Sequence, residues 1–341
     1  MKGARFFSVF ALLLTLLSGT VTSCAKPMGP ETEYVLGTLC TINLFDKGKP
    51  DLYRELFARL REIENRMSAN KAGTDIDTIN TAAGKNAVAV HTDVMDVLEV
   101  ALRYAELSKG AFDPTVGPLV KVWGIGTDDA RIPTPAEIKE ALSSINWRDV
   151  ELNRKVGTVF LKKPGMALDL GAIAKGYAAD EMARILKQHK IPRAMIDLGG
   201  NILAFGEKTG GAPWRIGVQD PSGERGDYIG ILEVKNKTMV TSGVYERFFT
   251  EAGVRYHHIL STTTGYPVQN GLISVTIVAD SSIDADALST TVFALGYEDG
   301  TALLESLPNA EGIFIFEDHS VEATGDLRSV FRLTGERYHW R

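Results

Sequence analysis

The strongest constraint on the fold is the rhythm of the second half of the chain. Short β-like runs at residues 158–161, 166–169, 194–197, 214–218, 229–232, 274–278 and 312–316 alternate polar and apolar side chains or are rich in branched ones. Helical patterns break into this series only at 172–189, 284–295 and 299–307. Strands come in groups and no βαβ alternation is sustained, which predicts an α+β fold over a doubly wound parallel sheet.

The first half is more helical. A β-like run at 34–44 is followed by two amphipathic patterns, 51–65 through Leu52, Leu56, Leu60 and Ile63, and 92–108 through Val94, Val97, Leu98, Ala101 and Leu102. Thr134-Pro135-Ala136-Glu137 opens a further helix, with Thr134 as N-cap, Pro135 at its first position and Glu137 placed to complete a capping box. No repeat, low-complexity stretch or internal linker divides the chain, which leaves one domain with room for two interleaved lobes.

At 341 residues with 44% hydrophobic and 23% charged side chains, the chain is long enough and apolar enough to bury a large core. Its formal net charge of −6 and lack of a dense Lys/Arg run exclude nucleic acid as the main partner. The N-terminus reads as an export signal: Lys2 and Arg5 precede an apolar stretch at 6–17, too short for a membrane span. Val21-Thr22-Ser23-Cys24 resembles a bacterial lipobox, which predicts cleavage after residue 23, a lipid on Cys24, a Pro- and Gly-containing linker at 24–33 and a folded domain at 34–341. An ordinary signal peptide with an incidental cysteine is the alternative. With Cys24 lipidated, Cys40 has no partner for an internal disulfide, and its place in an apolar run predicts a buried, inert thiol.

Three constellations carry chemistry. Asp169-Leu170-Gly171-Ala172-Ile173-Ala174-Lys175-Gly176-Tyr177 sits where a strand is expected to turn into a helix. Free N–H groups, the positive helix end and Lys175 suit a phosphate there, and a tight packing turn is the other reading. Asp284-Ala285-Asp286-Ala287-Leu288-Ser289-Thr290 puts Asp286 and Thr290 on one helix face, an oxygen pair suited to a hard cation such as Mg²⁺. Alternatively, Asp284 or Asp286 caps that helix. In Tyr256-His257-His258, two adjacent histidines on a strand face opposite ways, so at most one faces a site, as general base or as a structural residue. The glycines of Asp197-Leu198-Gly199-Gly200-Asn201 and Thr241-Ser242-Gly243 are read as turns or as places where a ligand approaches the backbone.

In order along the chain, Gly37-Thr38, Met67-Ser68, the 74–80 stretch, Gly110-Ala111-Phe112-Asp113-Pro114-Thr115-Val116-Gly117-Pro118-Leu119, 169–176, 197–202, Thr241-Ser242-Gly243, 258–265 and 285–290 resemble the FAD:protein FMN transferases, the ApbE family. The resemblance implies a T-fold-like α+β architecture of two interleaved lobes with FAD in the cleft between them. It also implies cleavage of the FAD pyrophosphate with Mg²⁺, release of AMP, and attachment of FMN to a Thr or Ser of an acceptor protein such as a membrane redox-complex subunit. Carried over by position, the metal ligands are the Ala172 carbonyl, Asp286 and Thr290. FAD contacts fall at Leu36, Asn70, Ala111, Phe112, Asp113, Asp169, Lys175 and Leu260, and His258 is the residue needed for transfer. With the lipid on Cys24, the enzyme is expected on the periplasmic side of a bacterial inner membrane.

Two segments depart from the family pattern. Many relatives carry Ser-Thr-Tyr where this chain has Ser68-Ala69-Asn70, and His-Ile-Ile-Asp-Pro-Arg-Thr-Gly where it has His258-Ile259-Leu260-Ser261-Thr262-Thr263-Thr264-Gly265. An amide in place of a stacking ring admits water as the nucleophile, which makes an FAD pyrophosphatase the alternative activity. A lipid-anchored flavin-binding protein without turnover is the alternative of another class.

Overall fold

The computed structural model describes residues 29–46, 48–224 and 226–341. The expected export signal, Cys24 and the linker up to residue 28 lie outside the described residues. Among those described, no helix is long and apolar enough to cross a membrane.

The grouped strands form one nine-stranded sheet, in the order Glu31–Val35, Thr38–Leu44, Arg193–Leu198, Asn201–Gly206, Lys237–Gly243, Leu272–Ala279, Ala310–Phe316, Ser320–Ala323 and His339–Trp340. Neighbours run antiparallel except the last pair, which is parallel. Alternation along each strand sorts side chains between two faces. Phe314 and Phe316 join Ile196, Val275 and Ile277 on one side, under the helices Pro50–Met67, Thr92–Leu107, Ala174–Gln188 and Ser282–Leu295. Ile313, Ile315, Met239 and Val278 face the other way, where the small sheet of Trp214–Gln219, Tyr228–Val234 and Phe331–Leu333 covers them with Trp214, Leu232 and Phe331. A third cluster packs Leu119 and Trp123 of the helix Gly117–Trp123 and Ile138 of the helix Pro135–Ser143 against Leu260. The fold is mixed α+β.

Helix positions follow the sequence closely. The capping box forms as expected, with the Glu137 N–H donating to Thr134 Oγ1 at 3.3 Å and the Thr134 N–H to Glu137 Oε2 at 2.7 Å. The 174–188 helix starts two residues later than the 172 expected, because residues 171–173 are spent on turns. Three strand-level expectations are corrected. The 34–44 run is two strands, folded at Leu36 (φ 57°) and Gly37 (φ 69°), a two-residue hairpin loop in the left-handed region. Its first strand begins at Glu31, inside the stretch expected to be linker. Residues 166–169 are not a strand. Ala167 makes one bridge to Val116, and the Asn80 side chain takes the place of a ladder neighbour: its amide donates to Leu168 O at 3.0 Å and its Oδ1 accepts from the Leu168 N–H at 2.6 Å. Thr241-Ser242-Gly243 is not a turn but the end of a strand, paired to Thr276, Val275 and Ser274. Gly199 and Gly200 do form a hairpin turn, at φ 66° and 92°.

Candidate active site

The site is built where the helices Ala174–Gln188 and Ser282–Leu295 cross. Gly176 makes the crossing possible: a Cβ there would meet Ser282 O at 2.2 Å and Asp286 Cβ at 2.7 Å. At that separation the Gly176 N–H donates to Asp286 Oδ2 at 2.8 Å, and the Lys175 N–H also points at this carboxylate. The residue before the helix is Ile173, which has no side-chain oxygen to cap it. Asp286 therefore caps a helix other than its own. Of the two readings of this turn, phosphate site or packing turn, the N–H groups of Lys175 and Gly176 favour the second, because they are spent on the Asp286 carboxylate.

Asp286 is 3% exposed, and burial raises its pKa against the opposing pull of Lys175 and the N–H groups of Gly176 and Lys175. Its Oδ1 lies 3.9 Å from Lys175 Nζ, which donates instead to Gly171 O at 3.1 Å. One turn further, Thr290 Oγ1 stands 3.3 Å from Ser242 Oγ, itself 2.9 Å from Ser289 Oγ. Asp284 is turned elsewhere: Tyr104 Oη donates to it at 2.8 Å, and Arg103 pairs with it. The N-cap of its helix is Ser281, not either aspartate.

Geometry also separates the two histidines. Buried His257 donates from Nε2 to Val268 O at 2.9 Å and accepts at Nδ1 from the Ile259 N–H at 3.3 Å, so both ring nitrogens are used inside the fold. His258 directs Nδ1 at Arg247 O, 3.2 Å away, and its own N–H donates to the same carbonyl at 3.1 Å. A carbonyl only accepts, so the hydrogen sits on Nδ1 and the Nε2 lone pair is free. Burial, then the Arg247 charge, push the His258 pKa down to about 3. The ring is neutral at physiological pH.

Hydrogen bonds link the remaining segments. Thr262 Oγ1 donates to Gly110 O at 2.7 Å, tying the segment after His258 to Ala111 and Phe112. The Asp169 N–H donates to Pro114 O at 2.8 Å, and Asp169 Oδ1 accepts from the Gly171 N–H at 2.7 Å, which leads to Ala172 and Lys175. Asp113 spends its carboxylate within this frame: Oδ1 accepts from the Thr115 N–H at 2.8 Å and hydroxyl at 2.6 Å, and Oδ2 from the Trp147 N–H at 3.0 Å. Leu260 and Phe112 are core residues, and Leu36 packs against the main core. Asn70 is exposed just beyond the Pro50–Met67 helix, with its N–H donating to Ser68 Oγ at 3.2 Å.

Sequence reasoning missed Asp180, and it placed Ser242 and Asn80 in segments that carry the resemblance without giving either a role. Asp180 interrupts an otherwise apolar stripe of Ala178, Ala179 and Met182, a pattern break that marks a buried polar role. Ser242 and Asn80 carry no such signal, since their partners are distant in sequence.

Among the described residues no cluster of three or more His, Cys, Asp or Glu is arranged to hold a metal. A cation here would depend on one carboxylate, neutral oxygens and its substrate. That donor set, all oxygen with a single buried carboxylate, fits Mg²⁺ bound largely through phosphates.

An α+β protein with a buried carboxylate capping a neighbouring helix, a lysine ammonium 3.9 Å from it, and a neutral histidine that feels the same lysine's charge has the parts for acting on a phosphate ester. The chain belongs to the ApbE family, whose description matches residues 36–314. It is 40% identical over 359 residues to the FAD:protein FMN transferase of Treponema pallidum (strain Nichols), covering 99% of each chain. It is 37% identical over 280 residues to one from Klebsiella pneumoniae (strain 342), covering 82% of this chain and 87% of that one. Among solved structures, an ApbE protein from Thermotoga maritima superposes with a TM-score of 0.80 at 34% identity, covering 89% of this chain and 99% of that one. The flavin transferase ApbE from Vibrio cholerae does so with 0.79 at 28% identity, covering 88% and 98%.

Proposed function

We propose that this protein is an FAD:protein FMN transferase, which cleaves the FAD pyrophosphate, joins the FMN phosphorus to a Thr or Ser hydroxyl of an acceptor protein, and releases AMP. The observation that carries the reading is the Asp286 cluster, in a chain alike over nearly its full length to a relative of that name. Ala172, Asp286 and Thr290 would hold Mg²⁺, which when bound neutralises charge developing on the pyrophosphate. Lys175, within reach of Asp286 Oδ1, moves its ammonium onto the phosphates and balances their charge. His258 takes the acceptor's hydroxyl proton on Nε2, with Arg247 O holding Nδ1–H. Leu36, Asn70, Ala111, Phe112, Asp113, Asp169 and Leu260 would shape the FAD cleft between two lobes.

Water is the competing nucleophile, and Asn70 is what favours it: the residue is exposed, and its short amide offers no ring to stack on FAD. Incubating the protein with FAD, Mg²⁺ and a candidate acceptor, followed by intact-mass measurement, separates the two. A gain of one FMN on the acceptor means transfer; AMP with free FMN and an unchanged mass means hydrolysis.

The N-terminal pattern supports export, with signal peptide 1–23, lipid on Cys24 and residence on the periplasmic side of the inner membrane. Cys24→Ser, followed by membrane fractionation, tests the anchor: release into the soluble fraction is expected.

A further inference from the structure

The helix whose end Asp286 caps returns the contact. On that helix Asp180 lies one turn beyond Gly176, on the same face. Its Oδ1 accepts from the Ser282 N–H at 2.9 Å and its Oδ2 from the Ile283 N–H at 2.9 Å, with Ser281 Oγ donating to Oδ2 at 3.4 Å. The helix's own N-cap bond, from the Asp284 N–H to Ser281 Oγ, is long at 3.4 Å. Each helix thus supplies the carboxylate that satisfies the amino end of the other. The two carboxylates are not used alike. Asp180 gives its oxygens to the Ser282 and Ile283 N–H groups, whereas Asp286 gives Oδ2 to the Gly176 N–H and has its Oδ1 3.9 Å from the Lys175 ammonium.

We propose that Asp180 is a positioning residue for the cation and pyrophosphate site: by gripping the first two N–H groups of the Ser282–Leu295 helix, it sets the height and rotation at which Asp286 and Thr290 are presented. The proposal rests on the metal reading given above. Gly176 fixes how closely the helices approach, but a helix in contact at one glycine remains free to slide and turn about that contact. Asp286 lies in the second turn from the grip and Thr290 in the third, so a shift at Ser282 displaces both oxygens together. Asp180→Asn keeps the shape and loses the function of the grip, because its amide has one acceptor oxygen and turns a donor toward the second N–H.

The test measures binding of Mn²⁺ alone to the full-length protein, from the loss of the free-ion EPR signal, beside the Mg²⁺ dependence of AMP release from FAD. Asp180→Asn is expected to raise the half-saturating Mn²⁺ and Mg²⁺ concentrations about tenfold, with the KM for FAD at saturating metal changed by less than about twofold. Ser282→Ala is the control. It removes the hydroxyl contacts to Asn201 Oδ1 at 2.9 Å and Thr238 Oγ1 at 3.0 Å but keeps the N–H that Asp180 holds. It is expected to lower the Tm and leave Mn²⁺ binding at the wild-type value. The proposal is overturned if Asp180→Asn binds Mn²⁺ as the wild type does, or if Ser282→Ala weakens binding equally, which makes the effect a general loss of stability. A wild-type protein that takes up no Mn²⁺ and releases AMP in the presence of EDTA overturns the metal reading itself.

Discussion

The two faces of the central sheet are built to different standards. On the far side, Trp214, Leu232 and Phe331 close over Met239, Val278 and Ile313 by apolar packing. On the helical side the carboxylates of Asp93 and Asp286 are buried, held by Arg59 and Arg66 in one case and by helix N–H groups in the other. Burying a carboxylate costs free energy unless hydrogen bonds and charges offset it. The helical face bears that cost at Asp286 and the far face does not. If the proposed function holds, one side serves chemistry and the other stability, and substitutions should divide the same way.

The largest effect is expected at the carboxylate itself. Asp286→Ala should reduce Mg²⁺-dependent AMP release about 10⁴-fold, since on the proposed function one group both binds the cation and caps the neighbouring helix. Residual release at saturating FAD that still responds to low Mg²⁺ would remove Asp286 from the site. His258→Asn comes next, with FMN transfer to acceptor falling about 10³-fold as the proton acceptor is lost, read by intact mass. Gly176→Ala leaves every reactive group in place and forces the helices apart, because its Cβ would fall 2.2 Å from Ser282 O. About 10²-fold loss of AMP release is expected for such a displacement, and unchanged release would mean the crossing is looser than it looks. On the far face, Phe331→Ala should lower stability by about 3–5 kcal/mol while leaving kcat within about twofold. A comparable loss of kcat would show that the two faces are coupled.

His258 also sharpens the comparison through pH. Its folded pKa is depressed from 6.5 to about 3. Between those values the unfolded chain binds the proton and the folded chain does not. Stability therefore rises with pH from about 3 to about 6.5 and gains nothing further from this residue above that range. His258→Asn should flatten that part of the stability curve in denaturant titrations. For the same reason, transfer should show no titration of His258 near 6.5, and an acid limb there would mean the ring is more hydrated than its surroundings imply.

Much of this was legible in local pattern. Helical periodicity located the 50–67 and 92–107 helices within two residues, and Thr134 with Glu137 announced a capping box that forms in full. The pairing of Asp286 with Thr290 on one face needed only the helical repeat. Other features resisted. The run at 166–169 has strand-like composition but lacks a strand beside it, and a side-chain amide from Asn80 occupies its backbone instead. The hairpin fold at Leu36 was hidden because leucine rarely adopts positive φ. Strand alternation alone did not choose between His257 and His258; the family resemblance pointed to His258, and the structure adds that His257 has spent both ring nitrogens.

Residue order and spacing were thus enough for the mixed α+β class and for the approximate positions of the long helices, because those depend on repeats of a few residues. Which carboxylate caps which helix was decided only by assembly. Asp286 and Gly176 are 110 residues apart and Asp180 and Ser282 are 102 apart, and no local pattern records a hydrogen bond across such gaps. At the end of the 174–188 helix the sequence left an anion site and a packing turn open, because the aspartate that takes up its N–H groups arrives on another helix, brought there by packing.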